Sequence, residues 1–185
     1  MIEPAVARRI KLIGFDVDGT LTDGGLYIGA AGGQAMEFKR FDIQDGLGVH
    51  LLRAAGMPVA VITGRVGEAA RLRAQEMQVD EFVADASARK LPAFEAILKK
   101  RQVRWEEVCF IGDDLPDLPI LRRVGLPVAV ANASKEVKEA ARFTTAVGGG
   151  HGAVRELAET FLKARGVWNE VVRAYLRKRG DVTAR

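Results

Sequence analysis

The 185-residue chain has almost no cysteine and no long apolar run. Its single cysteine, Cys109, lies within the apolar run V-C-F-I-G, so an internal disulfide is excluded and we expect a small core residue. No apolar stretch approaches the ~18 residues that a membrane-spanning helix needs, so we expect no membrane contact. The N-terminus lacks the basic-then-apolar order of a secretory signal. We therefore expect a cytoplasmic protein.

An excess of positive charge is also missing from most of the chain, although the formal net charge is +4. Residues 163–185 hold seven Lys/Arg against two acidic residues, whereas the other 162 residues hold 21 against 22. A basic tail can bind polyanions, but it can equally be solvent-facing helix charge or a segment that reaches a phosphorylated substrate. We do not expect nucleic acid as a partner.

Length and a hydrophobic content of 48% fit one domain with a sizeable core. We assign residues 1–165 to the core and residues 166–185 to a C-terminal basic helix or tail. A second apolar stripe in that tail has no obvious place in a finished core, so we expect it to pack between subunits. The stripe comprises Trp168, Val171, Val172, Tyr175 and Leu176.

Strands and helices alternate along the chain, which is typical of an α/β fold with a doubly wound parallel sheet. The pattern predicts strands at 10–15, 58–62, 81–84, 107–111 and 126–130. It predicts helices near 46–55, 66–77, 89–101, 117–124, 134–142 and 151–165. We expect the strand order 3-2-1-4-5, in which the ends of strands 1, 2 and 4 meet where such sheets bind ligands.

The run F-D-V-D-G-T-L-T at 15–22 is the strongest indication of chemistry. Residues i and i+2 of a strand point to the same side, so Asp16 and Asp18 would converge on one spot. Two converging carboxylates can form a metal and acid/base site. A solvated acidic turn is the simpler alternative.

Three further patches complete this pattern. The second strand ends in Thr63-Gly64-Arg65, Lys90 supplies a cation, and the fourth strand ends in G-D-D-L-P-D at 112–117. Each has an ordinary interpretation by itself, as a helix N-cap, a solvated lysine or an Asp-rich turn. Together they fit a single site.

Phosphoester hydrolysis accounts for these residue types. Asp16 can attack phosphorus and form an aspartyl phosphate, while Asp18 protonates the leaving oxygen and later deprotonates water. Thr63 and Lys90 would bind the transferring phosphoryl group. The hard oxygens of Asp16 and Asp113 favour Mg²⁺. Asp114 and Asp117 would orient waters and Lys90 from behind these ligands.

The four motifs, in this order, resemble those of the haloacid dehalogenase-like phosphatases over residues 10 to 160. The resemblance implies that the third Mg²⁺ ligand is the backbone carbonyl of Asp18. It also raises the question of a cap domain, which many members carry. Only 42 residues separate Thr20 from Thr63 and 24 separate Arg65 from Lys90, whereas a domain typically needs ~50. We therefore predict a capless protein, with a β-hairpin flap at about 24–41 around the glycine-rich run 29–33.

Further segments resemble the capless family of 3-deoxy-D-manno-octulosonate 8-phosphate phosphatases, namely D-I-Q-D-G at 42–46, T-G-R at 63–65 with Arg73, and G-G-H-G-A-V-R-E at 149–156. The resemblance implies a phosphorylated sugar acid as substrate and a homotetramer in which neighbouring hairpins complete each site. The residues that it implies as substrate contacts are Asp18, Asp42, Ile43, Gln44, Asp45, Gly46, Gly64, Arg65, Arg73 and Lys90.

Two departures bear on the substrate. The family commonly has arginine where this chain has His50 and His151, which would leave the substrate pocket with fewer permanent cations. Either histidine can instead be a surface or capping residue. A nine-carbon sugar acid 9-phosphate or another small sugar phosphate therefore stays open as an alternative.

Two other classes of protein share part of this pattern. A phosphoreceiver domain also combines acidic residues, Thr and Lys on a parallel sheet, but its phosphoacceptor follows strand 3, where this chain has only Asp85. A pseudoenzyme that serves as an oligomeric binding module would lack at least one of the groups that catalysis requires. The four motifs fill every role, so we expect an active phosphatase.

Overall fold

The computed structural model describes residues 1–181 and residue 183, and its centre is a six-stranded parallel sheet in the order β5-β4-β1-β6-β7-β8. The strands are β1 Leu12–Phe15, β4 Val59–Thr63, β5 Glu81–Ala84, β6 Val108–Gly112, β7 Leu126–Ala129 and β8 Phe143–Thr144. The first five follow the predicted order 3-2-1-4-5, which is confirmed. The sixth was not predicted, because two residues are too few to show a periodic pattern.

The three central strands β1, β4 and β6 are buried along their whole length. Such strands read as continuous apolar runs because helices cover both faces of a parallel sheet. One group of packed helices comprises α2 (Ile43–Ala54), α7 (Ala153–Ala164) and α8 (Trp168–Lys178), and another comprises α4 (Lys90–Arg101), α5 (Leu118–Leu121) and α6 (Lys135–Ala140). Phe94 of α4 meets Phe110 of β6 edge-on, with ring centroids 5.4 Å apart. Cys109 is buried, as predicted.

Among the described residues, six helices lie close to the predicted ranges, one at Trp168–Lys178 falls within the predicted C-terminal helix or tail, and one at Pro4–Arg9 was not predicted. The helices are α1 Pro4–Arg9, α2 Ile43–Ala54, α3 Glu68–Glu76, α4 Lys90–Arg101, α5 Leu118–Leu121, α6 Lys135–Ala140, α7 Ala153–Ala164 and α8 Trp168–Lys178. Helix α2 begins earlier than predicted because the Asp42 side chain accepts a hydrogen bond from the Gln44 backbone N–H, as an N-cap does. Helix α5 is shorter than the predicted range 117–124, since a 3-10 turn occupies Leu115–Asp117 before it and the helix ends at Leu121.

A β-hairpin follows β1, as predicted. It consists of β2 Tyr27–Ala31 and β3 Gln34–Phe38, joined by Gly32 and Gly33, which both have positive φ. Two positive φ values are typical of the tight turn that matches the twist of a hairpin. The turn is therefore shorter than the glycine-rich run that predicted it. Over residues 1–181 the elements form the sheet, its helices and this hairpin, without an inserted cap domain.

Helix α8 packs against α2 and α7 of its own chain. Val171 is buried, and Trp168 and Tyr175 lie partly buried against the core. The prediction that the second stripe has no place in this core was therefore wrong for these three residues, while Leu176 is exposed. Residues 182, 184 and 185 of the predicted tail lie outside the described residues. Among the described helices, none combines the length and the apolar character needed to cross a membrane.

Candidate active site

The carboxyl ends of β1, β4 and β6 meet at one edge of the sheet, where they surround a cavity of about 230 Å³. Strand β1 lies between β4 and β6, so the residues that follow the three strands become neighbours. The residues that line the cavity are Asp16, Asp18, Gly64, Arg65, Ala88, Lys90, Asp113, Asp114, Pro116 and Asp117. The four motifs are thus brought together around one space.

Lys90 is the buried cation of the site. It begins α4, and its ammonium group contacts Asp16 Oδ1 and lies 2.8 Å from Asp117 Oδ1. Burial by itself lowers the pKa of Lys90, but the adjacent Asp16 and Asp117 carboxylates outweigh burial and raise it. The ammonium therefore stays charged beside the candidate nucleophile.

Three carboxylates converge opposite this cation. Asp16, Asp113 and Asp117 each offer an oxygen within 4.8 Å of the others. Asp117 is already engaged, because one of its oxygens accepts from Lys90 and the other accepts from the Asp113 backbone N–H at 3.1 Å. Since Asp16 Oδ1 contacts Lys90, the other Asp16 oxygen and the Asp113 carboxylate are left to face a metal ion.

Crowding changes the acidity of these carboxyl groups. Burial, followed by the charge of Asp117, raises the pKa of Asp16 well above its ordinary value, although Lys90 opposes the shift. The same two causes raise the pKa of Asp113 to about 6. Uncompensated carboxylate oxygens in a small cavity fit a hard divalent ion, and Mg²⁺ is usually held by one or two carboxylates. The donor set therefore fits Mg²⁺.

Asp18 also lines the cavity. Its Oδ2 accepts a hydrogen bond from Thr63 Oγ1 at 3.2 Å. Thr63 in turn is held by the Arg65 backbone N–H, 3.1 Å from the same hydroxyl oxygen. The side chains predicted as general acid and phosphoryl ligand are thus hydrogen-bonded to one another.

A second loop supports the catalytic loop from behind. Asn132 donates to the Gly19 carbonyl at 3.3 Å and accepts from the Gly149 backbone N–H at 2.7 Å. A side chain at Gly149 would place its Cβ 1.8 Å from the Gly19 carbonyl oxygen. The Gly149–Gly150 pair is therefore explained by close backbone approach.

Several predicted substrate contacts lie elsewhere. Ile43, Gln44, Gly46, His50 and Arg73 line a groove of about 390 Å³ between α2, α3 and α8, together with Tyr175 and Arg179. Arg73 donates to the Asp42 carbonyl at 2.7 Å. These residues do not line the catalytic cavity of their own chain.

Asp45 and His151 also lie outside the cavity. Asp45 of α2 is buried against the start of α7, where it accepts from the Arg155 backbone N–H at 2.9 Å. His151 is exposed, and its Nδ1 lies 3.4 Å from the Arg40 guanidinium, which also donates to the Gly150 carbonyl. Their predicted substrate contacts stay predictions.

The structure also reveals two site residues that the sequence analysis missed. Lys39 lies 2.6 Å from Asp18, and Glu37 lies 3.0 Å from Arg65. Both residues belong to the inner end of the hairpin. Their i, i+2 spacing, which places two side chains on one face of a strand, was the available signal.

Comparison with known proteins places the chain in a class that agrees with this site. A family model described as haloacid dehalogenase-like hydrolase matches residues 69–157. The chain is a haloacid dehalogenase-like hydrolase.

The particular family follows from full-length relatives. The chain is 38% identical over 166 residues to the 3-deoxy-D-manno-octulosonate 8-phosphate phosphatase KdsC of Escherichia coli K12. The matched residues make up 90% of this chain and 86% of the relative. The chain therefore belongs to the family of 3-deoxy-D-manno-octulosonate 8-phosphate phosphatases.

Solved structures agree. A phosphatase of that name from Moraxella catarrhalis, in complex with a magnesium ion, a phosphate ion and KDO, is 34% identical with a TM-score of 0.87, covering 93% of this chain and 97% of that one. A cobalt-bound form of the deoxy-D-mannose-octulosonate 8-phosphate phosphatase from Haemophilus influenzae is 35% identical with a TM-score of 0.81, covering 89% and 94%.

Proposed function

We propose that this protein is a Mg²⁺-dependent phosphatase that hydrolyses 3-deoxy-D-manno-octulosonate 8-phosphate, a phosphorylated sugar acid of lipopolysaccharide synthesis. The observation that carries the proposal is the convergence of Asp16, Asp18, Lys90 and Asp113 on one cavity at the carboxyl edge of the sheet. The named substrate of the full-length relatives supports the choice of sugar acid.

Asp16 is the proposed nucleophile. Its carboxylate attacks phosphorus, the bond from phosphorus to the sugar oxygen breaks, and Asp18 gives that oxygen a proton. Asp18 then removes a proton from the water that hydrolyses the aspartyl phosphate. Two easier displacements replace one difficult displacement.

Positive charge must balance the phosphoryl group during both steps. Lys90 is fixed for this task by Asp117, and the predicted phosphoryl ligand Thr63 lies at the end of β4 with its hydroxyl hydrogen-bonded to Asp18. Asp16, Asp113 and the Asp18 backbone carbonyl would hold Mg²⁺, which neutralises charge on the phosphoryl oxygens when bound. Arg65 at the cavity wall can pair with a phosphate or carboxylate through its planar fork.

The test is an assay of phosphate release by purified protein. We expect Mg²⁺-dependent hydrolysis of 3-deoxy-D-manno-octulosonate 8-phosphate and its loss in Asp16→Asn. Nonulosonate 9-phosphates and hexose phosphates serve as competing substrates. Full activity in Asp16→Asn, or with Mg²⁺ chelated, would contradict the proposed mechanism. A preference for hexose phosphates would contradict only the assignment of a sugar acid as substrate.

The proposal includes a homotetramer in which neighbouring hairpins complete each site. Its support is an open cavity and a hairpin whose apolar side chains face solvent, with Tyr27 56% and Ile28 74% exposed. A neighbouring subunit could also bring the groove of His50 and Arg73, or His151, toward a substrate. A cytoplasmic location stays a prediction from the sequence.

A further inference from the structure

Lys39 is a buried cation at the catalytic site that the mechanism above does not use. It follows β3 at the inner end of the hairpin, and its side chain is only 1% exposed. Its ammonium lies 2.6 Å from Asp18 Oδ1 and 3.4 Å from Glu37 Oε1. A buried ammonium is costly unless it is paired, so these contacts hold Lys39 in place.

Asp18 is consequently held from two sides. Lys39 contacts one carboxylate oxygen, and Thr63 Oγ1 donates to the other at 3.2 Å. Two contacts on opposite oxygens restrict rotation about both side-chain bonds of an aspartate. Orientation matters here, because a misplacement of about 1 Å in a catalytic site can cost ~100-fold in rate.

Glu37 connects this arrangement to the second motif. Its two oxygens are divided between Lys39, at 3.4 Å, and Arg65, at 3.0 Å. The hairpin base is therefore attached to the end of β1 through Lys39 and to the end of β4 through Arg65. This part of the hairpin belongs to the catalytic site of its own chain.

We propose that Lys39 is a positioning residue that orients the Asp18 carboxyl group toward the leaving oxygen, with Glu37 as its anchor. The inference rests on the proposed phosphatase mechanism. It assigns to the hairpin a role within its own subunit, separate from any contact between subunits.

Leaving groups of different basicity test this role. An alkoxide needs a proton from Asp18 as it departs, whereas p-nitrophenolate leaves without one. In single-turnover experiments that follow release of the alcohol, we expect Lys39→Met to slow the sugar phosphate by ~10- to 100-fold. The same variant should slow p-nitrophenyl phosphate by less than ~3-fold. Equal losses on both substrates, or no loss on either, would overturn the proposal.

Two further variants keep the test decisive. Glu37→Gln loosens the anchor without removing the ammonium, and it should show the same leaving-group pattern with a smaller loss, even if Lys39→Met folds poorly. Lys100→Met is the matched control, because Lys100 also pairs with a glutamate, Glu81 at 2.9 Å, but on the surface. The Lys100→Met variant should hydrolyse both substrates at the rates of the parent protein.

Chemical rescue separates the ammonium from a general effect of substitution. Lys39→Cys can be alkylated with 2-bromoethylamine, in which the thiolate displaces bromide and restores an ammonium at the end of a side chain of similar length. Cys109 is buried and its pKa is raised by burial, so the parent protein treated in the same way should keep its activity. With alkylation verified by mass spectrometry, we expect the rate on the sugar phosphate to recover, and an alkylated variant that stays as slow as Lys39→Cys on that substrate would contradict the proposal.

The substrate assignment is tested separately from the role of Lys39. A parent protein that hydrolyses p-nitrophenyl phosphate but not the sugar acid phosphate would end that assignment alone. The comparison would then use an alkyl phosphate that the parent does hydrolyse.

Discussion

Asp113 is one of three neighbouring carboxylates in the site whose negative charges repel one another. Its carboxylate shares a small cavity with Asp16 and Asp117, and Lys90 forms ion pairs with those two carboxylates. Burial and the charge of Asp117 raise the pKa of Asp113 to about 6. Removing the charge of one of these carboxylates should therefore stabilise the folded state without metal and weaken the binding of Mg²⁺.

This reasoning predicts opposite effects of Asp113→Asn on stability and on metal binding. In the presence of a chelator, we expect the variant to match or exceed the parent by ~1 kcal/mol, a rise in Tm of about 2–4 °C. The increase in Tm on adding Mg²⁺ should be largely lost, and activity with it. Thermal unfolding with and without Mg²⁺ measures both effects, and an undiminished Mg²⁺ shift would contradict the ligand assignment.

At the scale of elements, the start of α7 depends on a residue from another helix. Asp45 of α2 accepts from the backbone N–H of Arg155 at 2.9 Å, so it satisfies one of the donors that α7 leaves free at its first turn. Burial, the largest influence, nevertheless raises the pKa of Asp45 to about 6. The helix packing thus places a charge where desolvation outweighs its capping bonds.

The shift at Asp45 predicts a specific pH dependence. Because its pKa is higher in the folded state than the ordinary value of 3.8, protonation favours the fold, and this contribution is lost as the pH rises from about 4 to about 6. The free energy of unfolding of Asp45→Asn, relative to the parent, should therefore improve by ~2 kcal/mol between pH 4 and pH 7. Urea unfolding at several pH values checks this, and a pH-independent difference between the two proteins would refute it.

At the scale of the whole molecule, the exposed hairpin and the open cavity require a common explanation. Apolar residues on both hairpin strands face solvent, including Tyr27, Ile28 and Phe38. Apolar patches of this kind mark interaction sites in soluble proteins. A neighbouring hairpin would cover the apolar surface and the cavity together.

We therefore predict a tetramer that depends on the hairpin. Light scattering should give a mass of four chains for the parent and a smaller mass for the double variant Tyr27→Lys, Ile28→Glu. Lys99→Glu, a charge change at an exposed position of α4, should leave the mass unchanged. A monomeric parent at working concentration would disprove the tetramer.

Much of this architecture could be predicted from local pattern. Continuous apolar runs identified β1, β4 and β6, and polar residues at their ends identified Asp16, Thr63 and Asp113. The order of the sheet followed because those residues can meet only if the strands are neighbours. Sequence could not identify β8, which is only two residues long, nor the packing of α8, since an amphipathic stripe does not state which surface covers it.

The strands, the residue types of the candidate site and the lack of space for a cap between the motifs could be inferred from local sequence, because each depends on residues close together along the chain. The contact of Lys39 with Asp18, the capping of α7 by Asp45, and the groove that His50 and Arg73 line away from the cavity became visible only in the folded chain. These contacts join segments whose spacing carries no periodic signal. Their partners become defined only when the helices and the hairpin pack against the sheet.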